Sequence, residues 1–282
     1  MKNKSILPRI YIVLIFLFLY APMFVIAFFS FNETKSTSVF AGFSLRWYKE
    51  LFRDELTRKT LINTLILAVS SSLIATVIGT AAAVGISKMR DNYFKKSLMM
   101  ATNIPMMNPD IVTGVSMMLL FVFVGVILNI KGVLGFTTVL IAHVTFNLPY
   151  VILSVLPKIK QMDKHLSEAA QDLGCTPLQS FFKVELPAIF PGVFTGMIMS
   201  FTLSFDDFLI SYFAAGPSFQ TLPIRIYTMT KQRVTPDIYA LSTIIFVFIL
   251  LLLLLLNLPS KEERLRMKNI KQTKKKREDN IN

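Results

Sequence analysis

The chain has 282 residues, 53% of them hydrophobic and only 17% charged, with 25 Phe and a formal net charge of +13. Soluble domains carry about 25% charged residues, and a nucleic-acid binder gathers its bases on one soluble face; here the bases fall between long apolar runs, which sets aside both a water-soluble globule and a nucleic-acid partner. One cysteine, Cys175, and two distant histidines, His143 and His165, offer no internal disulfide, cysteine metal cluster or zinc-binding helical pair.

What remains is an all-α polytopic membrane protein, whose spans can be read by length. A hydrocarbon core of about 30 Å needs roughly 20 apolar residues of helix. Residues 10–31 form the first such run, uncharged and preceded by Lys2, Lys4 and Arg9. A signal peptide has an apolar region of only about 7–15 residues before a small-residue cleavage site. This run is longer and continues through Ala27-Phe28-Phe29-Ser30-Phe31, so it is expected to remain as a span. Residues 32–59 follow as an external loop carrying Trp47 and Tyr48. Residues 60–258 then hold five more spans. The second, 60–87, is rich in Ala, Gly and Ser, which let helices approach closely. The third covers 98–128, interrupted by Pro105, Pro109 and Asp110, and the fourth covers 136–156. The fifth, 191–213, contains Asp206 and Asp207, and the sixth, 238–258, contains a run of leucines.

Six spans put both termini on one side of the membrane. With the N-terminus in the cytoplasm, the inner segments hold about twice as many Lys and Arg residues as the outer loops, in the sense of the positive-inside rule. The tail 259–282, with Lys274-Lys275-Lys276-Arg277, is expected to be a solvated cytoplasmic extension near anionic lipid. The cell membrane of a bacterium is the expected location.

Ionisable groups inside spans cost about 2.5–3.5 kcal/mol each on insertion scales and mark pathways. The three here, Asp110, Asp206 and Asp207, are all acids, with no Lys or Arg in a span to neutralise them. Such a set suits a polyvalent cation whose ammonium groups donate hydrogen bonds. Trp47 and Tyr48 offer aromatic faces to ammonium ions, although an interfacial anchor explains them as well. Asn108-Pro109-Asp110 also reads as a helix start, with Asn as cap and Asp in the favourable first turn. Adjacent residues on a helix point about 100° apart, so one of Asp206 and Asp207 should face the path and the other a neighbouring helix. His143, Asn147 and Tyr150 recur at helical spacing, as interhelical hydrogen-bonding residues do.

The inner connection 157–190 is too long for a turn. Asp163 can cap a short helix with Leu166, Ala169, Ala170 and Leu173 on one face, and Gly174 stands where a helix stops in a left-handed conformation. Thr176-Pro177-Leu178-Gln179 is a capping box with proline at the first helical position. The second helix is expected to bury Leu178, Phe181, Phe182 and Leu186 and to end at Pro187. Two short helices beneath the membrane form a knob that needs a groove, or an amphipathic pair lying on its own bundle.

Glu168-Ala169-Ala170, Gly174 and Val184-x-Leu186-Pro187, in that spacing, resemble the EAA loop of ABC-importer permeases, which usually has Ile where Val184 stands. Ser44-Leu45-Arg46-Trp47-Tyr48 and Ser204-Phe205-Asp206-Asp207-Phe208 extend the resemblance to the spermidine/putrescine branch of that family. The resemblance implies a six-helix type I importer fold. It also implies a homologous second permease, a cytoplasmic ABC ATPase dimer binding ATP and Mg, and an external polyamine-binding protein. Glu168, Ala169, Ala170, Gly174, Phe181, Phe182, Leu186 and Pro187 would then meet the ATPase, while Asp110, Asp206, Asp207, Trp47 and Tyr48 would line the substrate path. This chain has no phosphate-binding G-x-x-x-x-G-K-[ST] loop, so it is expected to be no enzyme and to hold no cofactor itself. A binding protein would deliver cations past outer loops that are themselves net positive. Another organic cation or metal complex as solute, and an autonomous secondary transporter, are the alternative readings.

Overall fold

The computed structural model describes residues 6–34, 39–163, 165–232 and 236–256. The predicted tail 259–282 and the end of the sixth predicted span lie outside the described residues. The helices are α1 (Ile6–Phe29), α2 (Arg46–Arg53), α3 (Glu55–Lys88), α4 (Tyr93–Met107), α5 (Asp110–Ile127), α6 (Phe136–Gln161), α7 (Leu166–Asp172), α8 (Pro177–Ser180), α9 (Leu186–Asp206), α10 (Leu209–Ala214), α11 (Leu222–Gln232) and α12 (Pro236–Leu256). A π turn, Phe181–Glu185, joins α8 to α9. Among the described residues five helices are long and apolar enough to cross a membrane, and α12 presents a shorter apolar stretch. Residues 50–234 form one compact unit; α1, the segment to residue 49 and the stretch from 235 form another.

In the larger unit α3, α6 and α9 pack on one another. The buried side of α3 is a stripe of small and hydroxyl residues, Thr57, Thr60, Thr64, Ala68, Ser71, Ala75, Gly79 and Ala83, repeating every three or four positions. Several hydroxyls return to their own helix, as Thr64 does to the Thr60 carbonyl and Thr76 to that of Ser72, which leaves the stripe smooth. A Cβ on Gly79 would stand 2.7 Å from Val151, so only glycine permits this crossing of α3 and α6. At the centre Ser204 of α9 accepts from Ser71 at 2.9 Å and from the Asn147 amide at 2.7 Å. One hydroxyl thus ties three helices in a setting where an unpaired polar group is costly. At 34 residues α3 is about 50 Å long, well beyond the roughly 30 Å of a hydrocarbon core.

The third predicted span is not one helix. Asn108-Pro109 divides it, because proline supplies no N–H and biases the residue before it away from helix. α4 lays Leu98 and Met99 against the Ile86, Leu156 and Ile159 end of α3 and α6. α5 packs on α10, with Gly114 against Leu209, Ile210 and Phe213. The fifth predicted span also divides, after Asp206. The predicted loop beyond it contains α11, which is tied to α3 by Asn63 donating to the Gln220 carbonyl and by the Leu222 N–H donating to Thr64.

In the smaller unit α1 packs against α12. Asn32 organises the segment that follows α1: its side chain bonds the Val39 carbonyl and the Ala41 N–H, and its carbonyl accepts from the Trp47 indole at 2.7 Å.

Candidate functional site

Asp206 and Asp207 occupy the break between α9 and α10, so they are not successive positions of one helix. Asp206 is the last residue of α9 and is exposed. Asp207 has extended backbone and turns its carboxylate inward. There it accepts from the N–H groups of Ile210 (3.3 Å) and Ser211 (2.7 Å) in the first turn of α10. His143 of α6, fully buried, brings Nε2 to 3.3 Å from the same carboxylate and 3.0 Å from the Ser211 hydroxyl. Asp207 therefore caps a helix and pairs with an imidazole, while Asp206 remains at the surface of the subunit.

A cluster of rings follows, which the sequence reading missed. Phe208 and Tyr227 lie 4.7 Å apart by ring centroid, Phe208 and Tyr212 5.3 Å, and Tyr212 and Tyr227 6.0 Å. The Lys231 ammonium rests 4.7 Å from the centroid of Tyr227, in the range of a cation–π contact. The one available signal was Tyr227 and Lys231 four positions apart, in a stretch read as loop. Tyr212 and Tyr227 belong to separate short helices, and their meeting has no sequence signature. Asp110 opens α5, exposed and within electrostatic reach of the Tyr150 phenol. Tyr150 lies seven residues beyond His143, about 10 Å further along α6.

Trp47 and Tyr48 are used locally. Trp47 is buried with its N–H bonded to Asn32; the Tyr48 hydroxyl meets Ser30 at 2.7 Å and its ring packs on Phe31. His143 and Asn147 make interhelical hydrogen bonds, and the Tyr150 ring packs against Phe146.

The inner loop folds into α7, a turn at Gly174 (φ +90°), and α8. The Asp163 carboxylate accepts from the His165 N–H just ahead of α7. Both bonds of the Thr176–Gln179 capping box form. Ser180, fully buried, donates to the Ser167 carbonyl and meets its hydroxyl, locking α8 to α7 as one knuckle. Glu168 and Ala169 are exposed and Ala170 is buried, and Glu168 pairs with His165 at 3.1 Å.

Two expectations for this loop fail. Leu178 and Phe182 are not buried: Leu173 is 88% exposed, Leu178 72% and Phe182 60%, while Phe181 is half-buried beneath Phe182. These residues leave apolar surface exposed on a small element. Nor does Pro187 end the helix. The π turn carries one extra residue, and the Leu186 N–H reaches back five residues to the Phe181 carbonyl. Pro187 then falls in the first turn of α9, where a missing N–H costs little.

Long apolar helices around small-residue crossings, with a knuckle of exposed apolar residues before α9 and acids at its end, define a helical membrane protein. Residues 75–260 match the family of binding-protein-dependent transport system inner membrane components. The chain is 38% identical over 238 residues to the putrescine transport system permease protein PotI of Escherichia coli K12, covering 84% of this chain and 85% of that one. It is 34% identical over 245 residues to the spermidine/putrescine permease PotC of Haemophilus influenzae, covering 87% and 93%. In fold it matches a bacterial ABC transporter for the acidic polysaccharide alginate with a TM-score of 0.68 at 18% identity, over 88% of this chain and 91% of that one. This chain belongs to the binding-protein-dependent inner membrane permease family, and it has the ABC-importer permease fold.

Proposed function

We propose that this chain forms, with a homologous second permease, the path by which an ABC importer takes up spermidine or putrescine, driven by a cytoplasmic ATPase dimer and supplied by an external polyamine-binding protein. The observation that carries the substrate is the ring cluster that begins at Phe208, two residues after Asp206, where the Lys231 side chain already places a primary alkylammonium on Tyr227. A polyamine ends in the same group. Asp206 at the end of α9 and Asp110 at the start of α5, within electrostatic reach of Tyr150 further along α6 than His143, offer two separate carboxylates, so a chain carrying several ammonium groups can exchange one acidic partner for the next. Asp207 holds the break open and fixes where Asp206 points; Trp47 and Tyr48 shape the external segment.

Leu173, Leu178 and Phe182 are the anchors proposed to enter the ATPase groove, with Glu168 at the edge offering a charge-assisted hydrogen bond and Ala169 and Gly174 permitting close approach. ATP and Mg bind the ATPase, and nucleotide-driven closure of that dimer moves the knuckle and switches the access of the path. Both termini then lie in the cytoplasm.

The test is to purify the assembled importer and identify its chains and the solute that stimulates ATP hydrolysis. Stimulation by putrescine or spermidine, suppressed by competing polyamines, is the expected result. Stimulation by a different organic cation or a metal complex would move the substrate while leaving the permease role in place.

A further inference from the structure

Between the knuckle and the bundle lies a cavity of about 780 Å³, bordered by Lys88, Lys95, Lys160, Ser167, Glu168 and Glu185. Of the ion pairs on its wall, Lys95–Asp91 lies within one stretch of chain, while Lys88–Glu185 joins the π turn to α3. Glu185, the last residue of the π turn, is 5% exposed, and its carboxylate lies 3.4 Å from the ammonium of Lys88, the last residue of α3. The two partners are unlike: the Glu185 side chain is buried, while the Lys88 side chain is 63% exposed. A buried carboxylate that loses its counter-ion pays the full desolvation penalty, so displacing the π turn from α3 is opposed until the ammonium follows. The lysine stem is long and flexible, which lets the contact survive a change in angle. Open space beside the pair gives the knuckle room to move without collision.

The geometry points to Lys88 and Glu185 as a positioning pair that hands movement of the knuckle to α3, and through the packing of α3 on α6 and α9 to the path. The inference rests on the proposed ATPase role of the knuckle. It assigns a task to two residues outside the Glu-Ala-Ala, Gly and Leu-Pro positions that carry the family resemblance.

The experiment uses the complete importer in liposomes and measures putrescine taken up per ATP hydrolysed, with bound ATPase quantified in parallel. Glu185→Gln keeps the side-chain shape and removes the buried charge; Lys88→Gln removes the partner from the solvated side. Each is expected to retain wild-type amounts of ATPase and to lower uptake per ATP by about tenfold, within the roughly 5–150-fold range of coupling between linked sites. The exchange Lys88→Glu with Glu185→Lys is expected to recover uptake to within about threefold, as a direct pairwise interaction requires. Singles with unchanged uptake per ATP, singles that shed the ATPase, or an exchange that recovers nothing would each overturn the proposal. If Lys88→Gln fails to insert, Glu185→Gln with the exchange decides. Failure of the underlying reading looks different: the wild-type complex would hold no ATPase, and Glu168→Lys on the knuckle would change nothing.

Discussion

The two ends of α9 behave in opposite ways. At its start the sequence carries Pro187, yet helical structure runs through from α8. At its end there is no proline or glycine in Ser204-Phe205-Asp206-Asp207-Phe208, yet the helix stops. The difference lies in where the backbone groups go. At the start, the extra residue of the π turn lets the Leu186 N–H find the Phe181 carbonyl and moves Pro187 to a position where its missing donor is harmless. At the end, the Asp207 carboxylate takes up the N–H groups of Ile210 and Ser211, so a break that would expose unpaired donors becomes a capped start of α10. The start of α9 is thus a continuous connection to the knuckle, suited to transmitting movement. The end is a bend that separates an exposed acid from a buried one.

Perturbations at five positions would break or sharpen this contrast. The largest effect is expected from deleting Lys183. Removing the extra residue of the π turn rotates Phe182 and α8 about α9 by about 100°, so uptake by the assembled importer should fall by at least about tenfold while membrane insertion is retained; unchanged uptake would mean the register of the turn is immaterial. Next, Asp207→Ala should lower the unfolding free energy in detergent by about 1–2 kcal/mol through loss of the cap, with Asp207→Asn recovering much of it. Asp206→Asn should leave stability within about 0.5 kcal/mol and weaken uptake instead. Equal stability losses at the two positions would erase the distinction between them.

Tyr227→Leu should raise the concentration of putrescine needed for half-maximal uptake by about threefold, the value of a partly exposed cation–π contact of roughly 0.5–1 kcal/mol. The smallest effect concerns Asp54, which caps α3 and meets Arg225 of α11 at 3.3 Å. Partial burial opposes its charge, but the Thr57 hydroxyl, the Arg225 guanidinium and the Leu56 N–H together hold its carboxyl below the ordinary 3.8. A lowered folded-state value means the contribution to stability is complete above pH 3.8 and is lost as the pH falls through the lower folded value. Hydrogen-exchange protection in the first turn of α3, taken relative to intrinsic rates, should therefore fall on acidification in the wild type and be independent of that step in Asp54→Asn. Solvent screening of this half-exposed pair keeps the change small.

Much of the inner loop was legible, because its signals are local. The capping box, the left-handed Gly174 and the Glu-Ala-Ala spacing each lie within a few residues, and each appears where expected. The direction of burial was not legible: helical spacing shows that Leu178 and Phe182 share a face, but a face that waits for another chain looks the same as one that meets its own bundle. Asn108-Pro109-Asp110 did announce a helix start, and the length of the apolar run around it still suggested one span. The break at Asp207 had no comparable mark, since its cause is a set of partners on α10 and on α6, 64 residues earlier at His143. Trp47 read more readily as an interfacial anchor than as a ligand, and the Asn32 carbonyl beneath its indole shows what it holds.

The most direct test of the account is uptake of labelled putrescine into liposomes that contain this chain with its partner permease and ATPase, the external binding protein on the outside and ATP within. The account predicts accumulation that needs ATP and is lost when Phe182, at the exposed tip of the knuckle, is replaced by Asp. Accumulation by this chain alone under an ion gradient, with no ATPase present, would contradict it.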